Sequence, residues 1–357
     1  MEKQTQAFLL VFCFSCGSLN LGSVKPWLEP WLLGSYSTIT KRRIMQNEKR
    51  AIIALDNMSV SQSVILLDKI KHLILAAKVG FEMFVAEGPQ FLRLLREMGV
   101  DFFLDLKFHD IPNTVKKAVA RAVLYEPLII NVHASGGEAM MKAAMTGAEE
   151  GAKLASQKYG HSVGRPLIVA VTLLTSLEVK DLLDIGYLES DVLGLMPEEA
   201  RGNLIPELTL TMSILAERAG LDGVVCSVSD AKLIRQTQKP GFKIITPGIR
   251  RPDSSKQDQK RVATPTDAAL VGAWPVIGRI VTEAADPVAA MQRVNDEIAS
   301  ALKTKSRDEE SPSVMGGEQE PMCPDCGHTT IRNGLRYKCL NCGRTVLCPE
   351  LGREAVN

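Results

Sequence analysis

Asp101-Phe-Phe-Leu-Asp105-Leu-Lys107-Phe-His-Asp110-Ile-Pro-Asn-Thr114 sets an apolar run of strand type directly before a knot of charge. Pro112 then restarts the chain as a helix, so the charges fall at the C-terminal end of a strand. Asp105 and Lys107 are two apart and on a strand share one face. Asp110 follows in the turn. Two carboxylates and an ammonium packed together are costly unless they pair or do chemistry. A D-x-K-x-x-D spacing also occurs in ordinary solvated loops. Here it follows a buried-type strand and precedes Ile-Pro-Asn-Thr, and it reads as a catalytic site able to polarise a substrate and move a proton.

Working outward, residues 50–303 alternate strand-like and helix-like segments. The strand expectations are Ala51–Leu55, Ala76–Gly80, Asp101–Asp105, Leu128–Val132, Leu167–Val171, Gly223–Cys226, Lys243–Thr246 and Trp274–Ile277. Amphipathic stretches lie between them, among them Pro89–Met98, Val115–Leu124, Gly137–Ala155 and Ile205–Ala219. Continuous apolar strands separated by helices imply a parallel sheet covered on both faces. Eight such units fit an α/β fold of the (β/α)₈ TIM-barrel type, with a doubly wound open sheet as the alternative. Charged and polar residues at successive strand ends favour the barrel, where those ends converge on one mouth: Asp56, Lys78, Asp105, Lys107, His133, Thr172 and Arg279.

A phosphate end of the pocket is expected beyond strands seven and eight. Gly278 allows close backbone approach to an anion, and Arg279 can fork onto phosphate oxygens. Thr246-Pro-Gly-Ile-Arg250 opens a polar loop through Asp258-Gln259, a candidate lid in which Arg250 offers a cation and Gln259 an amide. Each signal is weak alone.

The remaining segments read differently. Formal net charge is +1, which gives no case for a nucleic-acid surface. No apolar run approaches the length of a membrane-spanning helix. Residues 1–44 hold an apolar patch at Phe8–Phe14 but lack a clear signal-peptide pattern. They read as an atypical leader, untranslated or disordered in the native protein, with Met45 as the working start. Residues 45–303 form the barrel domain and 304–321 a flexible linker. In 322–348, Cys323-Pro-Asp-Cys326-Gly and Cys339-Leu-Asn-Cys342-Gly make a four-thiolate zinc signature, with a hairpin between the pairs, as in a zinc ribbon. His328 and Cys348 are spare donors, and 349–357 is a tail. This crowding of cysteines points to a structural zinc and a reducing, cytoplasmic compartment rather than a disulfide framework. Arg332, Arg336, Lys338, Arg344 and Tyr337 give the module a basic, aromatic character whose partner the sequence leaves open.

The barrel motifs, taken together, resemble the orotidine 5′-monophosphate decarboxylase family. The resemblance rests on Asp105–Thr114, Ile53-Ala-Leu-Asp56, Lys78-Val-Gly-Phe-Glu82, Val132-His-Ala-Ser-Gly-Gly137, Val171-Thr-Leu-Leu-Thr-Ser176, Thr246-Pro-Gly-Ile-Arg250 with Asp258-Gln259, and Val276-Ile-Gly-Arg279. These occur in the family's order over about residues 50–300. The resemblance implies a cofactor-free decarboxylation of orotidine 5′-monophosphate to uridine 5′-monophosphate in pyrimidine biosynthesis. It also implies a homodimer with sites at the subunit interface. Lys107 resembles the lysine that protonates C6, and Asp105 the carboxylate set against the substrate's own. Asp110, with Ile111 and Thr114, resembles the group that reaches into the partner's site. Asp56 and Lys78 correspond to ribose contacts, with Lys78 also in the charge array, and Thr175 to a pyrimidine contact. Gln259 corresponds to the lid residue, and Arg250, Gly278 and Arg279 to phosphate contacts. One departure is Ile280, where the family often has Pro, which implies a change in turn stiffness.

Two other readings follow from the same residues. One is a magnesium-dependent barrel enzyme of the same superfamily acting on a sugar phosphate. Against it stand the Ile-Pro-Asn-Thr continuation and the Gly-Ile-Arg…Asp-Gln loop. The other is a zinc-ribbon nucleic-acid binder with an inactive barrel, against which the intact Asp105, Lys107 and Asp110 set argues.

Overall fold

The computed structural model describes residues 50–195, 201–239, 241–250, 263–310, 330–333, 336–339 and 345–347. Eight parallel strands close into a barrel: β1 (Ile52–Ala54), β2 (Ala76–Val79), β3 (Phe102–Phe108), β4 (Ile129–His133), β5 (Leu167–Val171), β6 (Gly223–Val225), β7 (Lys243–Thr246) and β8 (Trp274–Ile277). Closure comes from β1 pairing with β8, Ile52 opposite Val276 and Ile53 opposite Ile277. The open-sheet alternative is thereby excluded. Each expected strand is present. The largest difference is at β3, which runs on past Asp105 to Phe108.

Helices return the chain between strands. They are α1 (Val60–Ile70), α2 (Phe81–Glu87), α3 (Pro89–Glu97), α4 (Pro112–Ala122), α5 (Gly137–Tyr159), α6 (Val179–Asp184), α7 (Ser190–Leu195), α8 (Leu204–Arg218), α9 (Val228–Thr237), α10 (Pro265–Leu270), α11 (Arg279–Thr282) and α12 (Pro287–Glu310). Local chemistry starts several of them. Ser59 caps α1 in a reciprocal box with Gln62, and Thr264 caps α10 likewise with Asp267. Pro112 sits in the first turn of α4, where its missing N–H costs nothing.

The period-two alternation of the strands divides the core into two layers. Ile52, Ala54, Ala76, Phe103, Ile129, Val169, Ile245, Trp274 and Val276 fill the barrel interior. Ile53, Leu55, Ala77, Val79, Phe102, Leu104, Ile130 and Val132 belong to the larger core shared with the helices. Helices α4 and α5 approach at backbone distance because α5 carries glycine there. A Cβ at Gly147 would lie 2.3 Å from the Lys116 carbonyl oxygen, and one at Gly151 2.7 Å from that of Ala120. That contact seats α4, and with it the Asp110–Thr114 turn.

Helix α12 continues through Glu310, so the first residues of the expected linker, 304–310, are helical. The linker's remaining residues, 311–321, lie outside the described residues, as do 1–44 and the 349–357 tail. Near the C-terminus β9 (Thr330–Asn333), β10 (Arg336–Cys339) and β11 (Thr345–Leu347) form an antiparallel sheet in the order β11-β10-β9. Among the described residues, no helix is long and apolar enough to cross a membrane.

Candidate active site

A cavity of about 380 Å³ opens at the C-terminal ends of the strands. Its floor is the top of the barrel interior, formed by Ala54, Phe103, Val225 and Val276. One wall is an alternating row of charge carried by three consecutive strands. Lys78 Nζ at the end of β2 lies 2.9 Å from Asp56 Oδ1, just after β1, and 3.3 Å from Asp105 Oδ2 on β3. Lys107 Nζ lies 2.8 Å from Asp105 Oδ1. Asp56, Lys78, Asp105 and Lys107 thus form a continuous chain of opposite charges, all lining the cavity.

Burial is what gives this row its force, since Coulomb attraction grows as water is excluded. Asp105 is 7% exposed. For Lys78, burial is the largest single influence and works against the ammonium. The charges of Asp105 and Asp56, with their hydrogen bonds, override it, so its pKa is raised. Lys107 Nζ also lies 5.2 Å from the centroid of the Phe81 ring, a cation–π contact from α2.

The pairing of Asp105 with Lys107 does not arise from an even pleat. Lys107 has φ 44°, and the β3–β4 register shifts between Leu104 and Phe108. A bulge therefore carries the lysine, and bulges of this kind re-aim side chains. Asn131 of β4 accepts from Lys107 N–H at 2.7 Å and donates to Asp105 Oδ1 at 2.6 Å. Asn57, also left-handed at φ 59°, is held by its N–H to Glu82 Oε2 at 2.9 Å, which braces the turn after Asp56.

Thr175, Arg250, Gly278 and Arg279 line the same cavity. A Cβ built at Gly278 would meet nothing within 4 Å, which leaves its backbone open to a ligand. Arg250 N–H donates to Ala263 O, and Ala263 N–H to Gly248 O, so the chain leaves and re-enters at one point of the rim around 251–262. Gln259 falls within that stretch and outside the described residues. So do Cys323, Cys326 and Cys342, while Cys339 ends β10.

Asp110, Ile111 and Thr114 are not brought into this cavity. All three are exposed, Ile111 at 67%, and Asp110 Oδ1 accepts from the N–H of Ile111. Two of the strand-end residues also stand apart. Thr172 is buried and donates to Val225 O. His133 packs its ring 5.3 Å from that of His109. Burial, aided by His109 and Lys107, lowers the His133 pKa to about 4 against the raising effect of Asp105.

Asn131, Glu82 and Phe81 have no part in the sequence-based site. The first had a signal: one amide inside the apolar run Leu128-Ile-Ile-Asn-Val132 must find a buried partner.

A closed parallel barrel with a charged row and two arginines lining one cavity at its mouth defines a TIM-barrel enzyme site for an anionic ligand. The comparisons with known proteins specify it further. Residues 49–294 match the Orotidine 5′-phosphate decarboxylase / HUMPS family, and the chain belongs to that family. It is 41% identical over 254 residues to the orotidine 5′-phosphate decarboxylase of Vibrio campbellii, covering 71% of this chain and 99% of that protein. It is 42% identical over 254 residues to that of Tolumonas auensis, with the same coverage. Among solved structures, orotidine 5′-phosphate decarboxylase from Lactobacillus acidophilus aligns with a TM-score of 0.55 at 33% identity, covering 70% of this chain and 99% of that one.

Proposed function

We infer that the barrel is a carboxy-lyase that decarboxylates orotidine 5′-monophosphate to uridine 5′-monophosphate in pyrimidine biosynthesis. The observation that carries this reading is the Asp56–Lys78–Asp105–Lys107 row at one mouth, in a cavity that Arg250 and Arg279 also line. In the reaction the C6–carboxylate bond breaks, carbon dioxide leaves, and its bonding pair stays on C6. No ring carbonyl is placed to delocalise that pair. The protein must therefore stabilise it electrostatically, without a cofactor as electron sink.

The proposed roles follow from position. Lys107 offers a fixed ammonium to the developing carbanion and gives C6 its proton; the resulting amine regains one from solvent. Asp105 lies against the substrate carboxylate and orients both lysines. Asp56 and Lys78 hold ribose hydroxyls, and Thr175 faces the pyrimidine. Arg250, Gly278 and Arg279 take the phosphate. Gln259 joins them from a segment whose two ends meet at the rim beside Arg250. Phosphate binding, remote from C6, supplies energy that closes the site.

We also propose a homodimer in which Asp110, Ile111 and Thr114 complete the neighbour's site. Their exposure outside their own cavity supports this, as does the exposed apolar set Phe81, Val85 and Ile111. For the C-terminal module the proposal is a structural zinc held by Cys323, Cys326, Cys339 and Cys342. The antiparallel pairing of β9 with β10, between the two cysteine pairs, supports it. Cysteine usage and the pathway support a cytoplasmic location.

Loss of orotidylate absorbance on adding the full chain tests the reading. Turnover should persist in the presence of a chelator that strips magnesium. A chain inactive on orotidylate, or one that needs magnesium, would overturn it in favour of a sugar-phosphate substrate.

A further inference from the structure

Asn131 sits in the middle of β4, 1% exposed, between Ile130 and Val132, both fully buried. An amide in such a place is costly unless both its ends are bonded. Both are. Its oxygen faces a donor, Lys107 N–H at 2.7 Å, and its nitrogen an acceptor, Asp105 Oδ1 at 2.6 Å. The chemistry of the two partners leaves a single orientation for the amide.

Each bond has a distinct consequence. The β3–β4 ladder pairs Leu104 with Ile130 and next Phe108 with Val132, so β3 spends more residues than β4 across this gap. Asn131 Oδ1 takes the Lys107 N–H where the ladder is interrupted. That bond holds the lysine backbone at φ 44°, in the left-handed region that is costly for a non-glycine residue. The Nδ2 bond orients the Asp105 carboxylate. Oδ1 then meets Asn131 and Lys107, while Oδ2 meets Lys78.

We propose that Asn131 is a positioning residue for the decarboxylation. It stabilises the bulge that aims Lys107 and sets the carboxylate rotation that addresses each Asp105 oxygen to a different lysine. This rests on the functional reading above. Asn131 does not touch the cavity, so its effect passes through Asp105 and Lys107.

The test uses Asn131→Leu and Asn131→Asp in the full chain, with orotidylate turnover against pH, uridine 5′-monophosphate affinity and thermal melts. For Asn131→Leu we expect kcat to fall about a hundredfold, the scale of a small misplacement of reacting groups. Product affinity should stay near wild type, because Asp56, Arg250 and Arg279 are untouched. Asn131→Asp keeps the shape. Ionised, its carboxylate opposes Asp105; protonated, it again offers one acceptor and one donor. Burial and the like charge of Asp105 both raise the pKa of such a carboxyl. Turnover of this variant should therefore recover as pH falls, unlike the wild type.

The ionisable groups placed around this position are Asp105 and Lys107, Lys78 beyond Asp105, and His133 on the same strand with the His109 ring against it. On β5 the facing residue is the apolar Val169. A folded Asn131→Leu chain with wild-type kcat, or an Asn131→Asp profile parallel to wild type, would overturn the proposal. If the Leu variant fails to fold, the pH profile of the Asp variant decides alone. A wild-type chain inactive on orotidylate would instead strike at the functional reading.

Discussion

Lys78 Nζ lies 3.3 Å from Asp105 Oδ2, a contact that ties β2 to β3 at the barrel mouth. Lys78 also contacts Asp56 and so bridges the two carboxylates in the row. Replacing it with Met would leave the buried Asp105 carboxylate without this cation and next to Asp56, which is itself 46% exposed. Breaking one partner out of a buried charge set costs about 3 kcal/mol. The expected outcome for Lys78→Met is a lower denaturant midpoint by that scale, together with near-complete loss of turnover. Adding Asp56→Asn should restore part of the stability and none of the activity. Equal stability of Lys78→Met and wild type in denaturant titration would mean that the row is solvated.

Gly80 is held glycine by the same pair. A Cβ there would lie 3.0 Å from Asp56 Oδ1 and 3.1 Å from Lys78 Nζ. Its φ is −89°, so backbone strain is not the reason. Gly80→Ala would displace Asp56 and Lys78, the groups proposed to hold the ribose, by a few tenths of an ångström while leaving Lys107 alone. Steady-state kinetics should show KM raised roughly tenfold, about 1.4 kcal/mol, with a smaller change in kcat. A fall confined to kcat would show that the pair acts on the chemistry and not on the ribose.

His133 gives a pH dependence of stability. Its folded pKa is about 4, below the ordinary histidine value, chiefly because of burial. Between that ordinary value, near 6.5, and about 4 the unfolded chain binds the extra proton, so stability falls as pH falls through this window. Above it the term is constant. His133→Gln, which cannot charge, should lose less melting temperature between pH 7 and pH 4.5 than wild type does. Parallel curves would assign the acid sensitivity to other groups.

Much of this was readable from sequence because barrel strands are buried on both faces. Leu167–Val171 and Trp274–Ile277 are continuous apolar runs, and both strands have these bounds. The charged row was readable for the complementary reason, that Asp56, Lys78 and Asp105 each end such a run. The bulge at Lys107 was not. Period-two alternation already places Asp105 and Lys107 on one face, so the sequence gives no cue that the register shifts between them. Asn131 announces a need for partners but not their identity, because those partners come from the neighbouring strand. The helix through Glu310 was missed because 304–310 are as polar and charged as a linker, and their helicity extends from the apolar stripe of α12.

The turn after β3 offers a test that separates the two subunits of the proposed dimer. Asp105 and Lys107 line their own cavity, whereas Asp110 and Thr114 are exposed outside it. If Asp110 serves the neighbour, each site needs Lys107 from one chain and Asp110 from the other. Lys107→Ala homodimers and Asp110→Ala homodimers should then both be nearly inactive. Mixing them under conditions that exchange subunits creates heterodimers with one doubly altered site and one intact site. With random exchange, half the dimers are mixed and each has one working site of two. Activity should therefore recover to about a quarter of wild type, as expected for an isologous interface that shares its sites. The readout is orotidylate turnover before and after exchange, with dimer content followed by light scattering. Full exchange without recovery would place Asp110 in its own subunit's chemistry and remove the argument for shared sites.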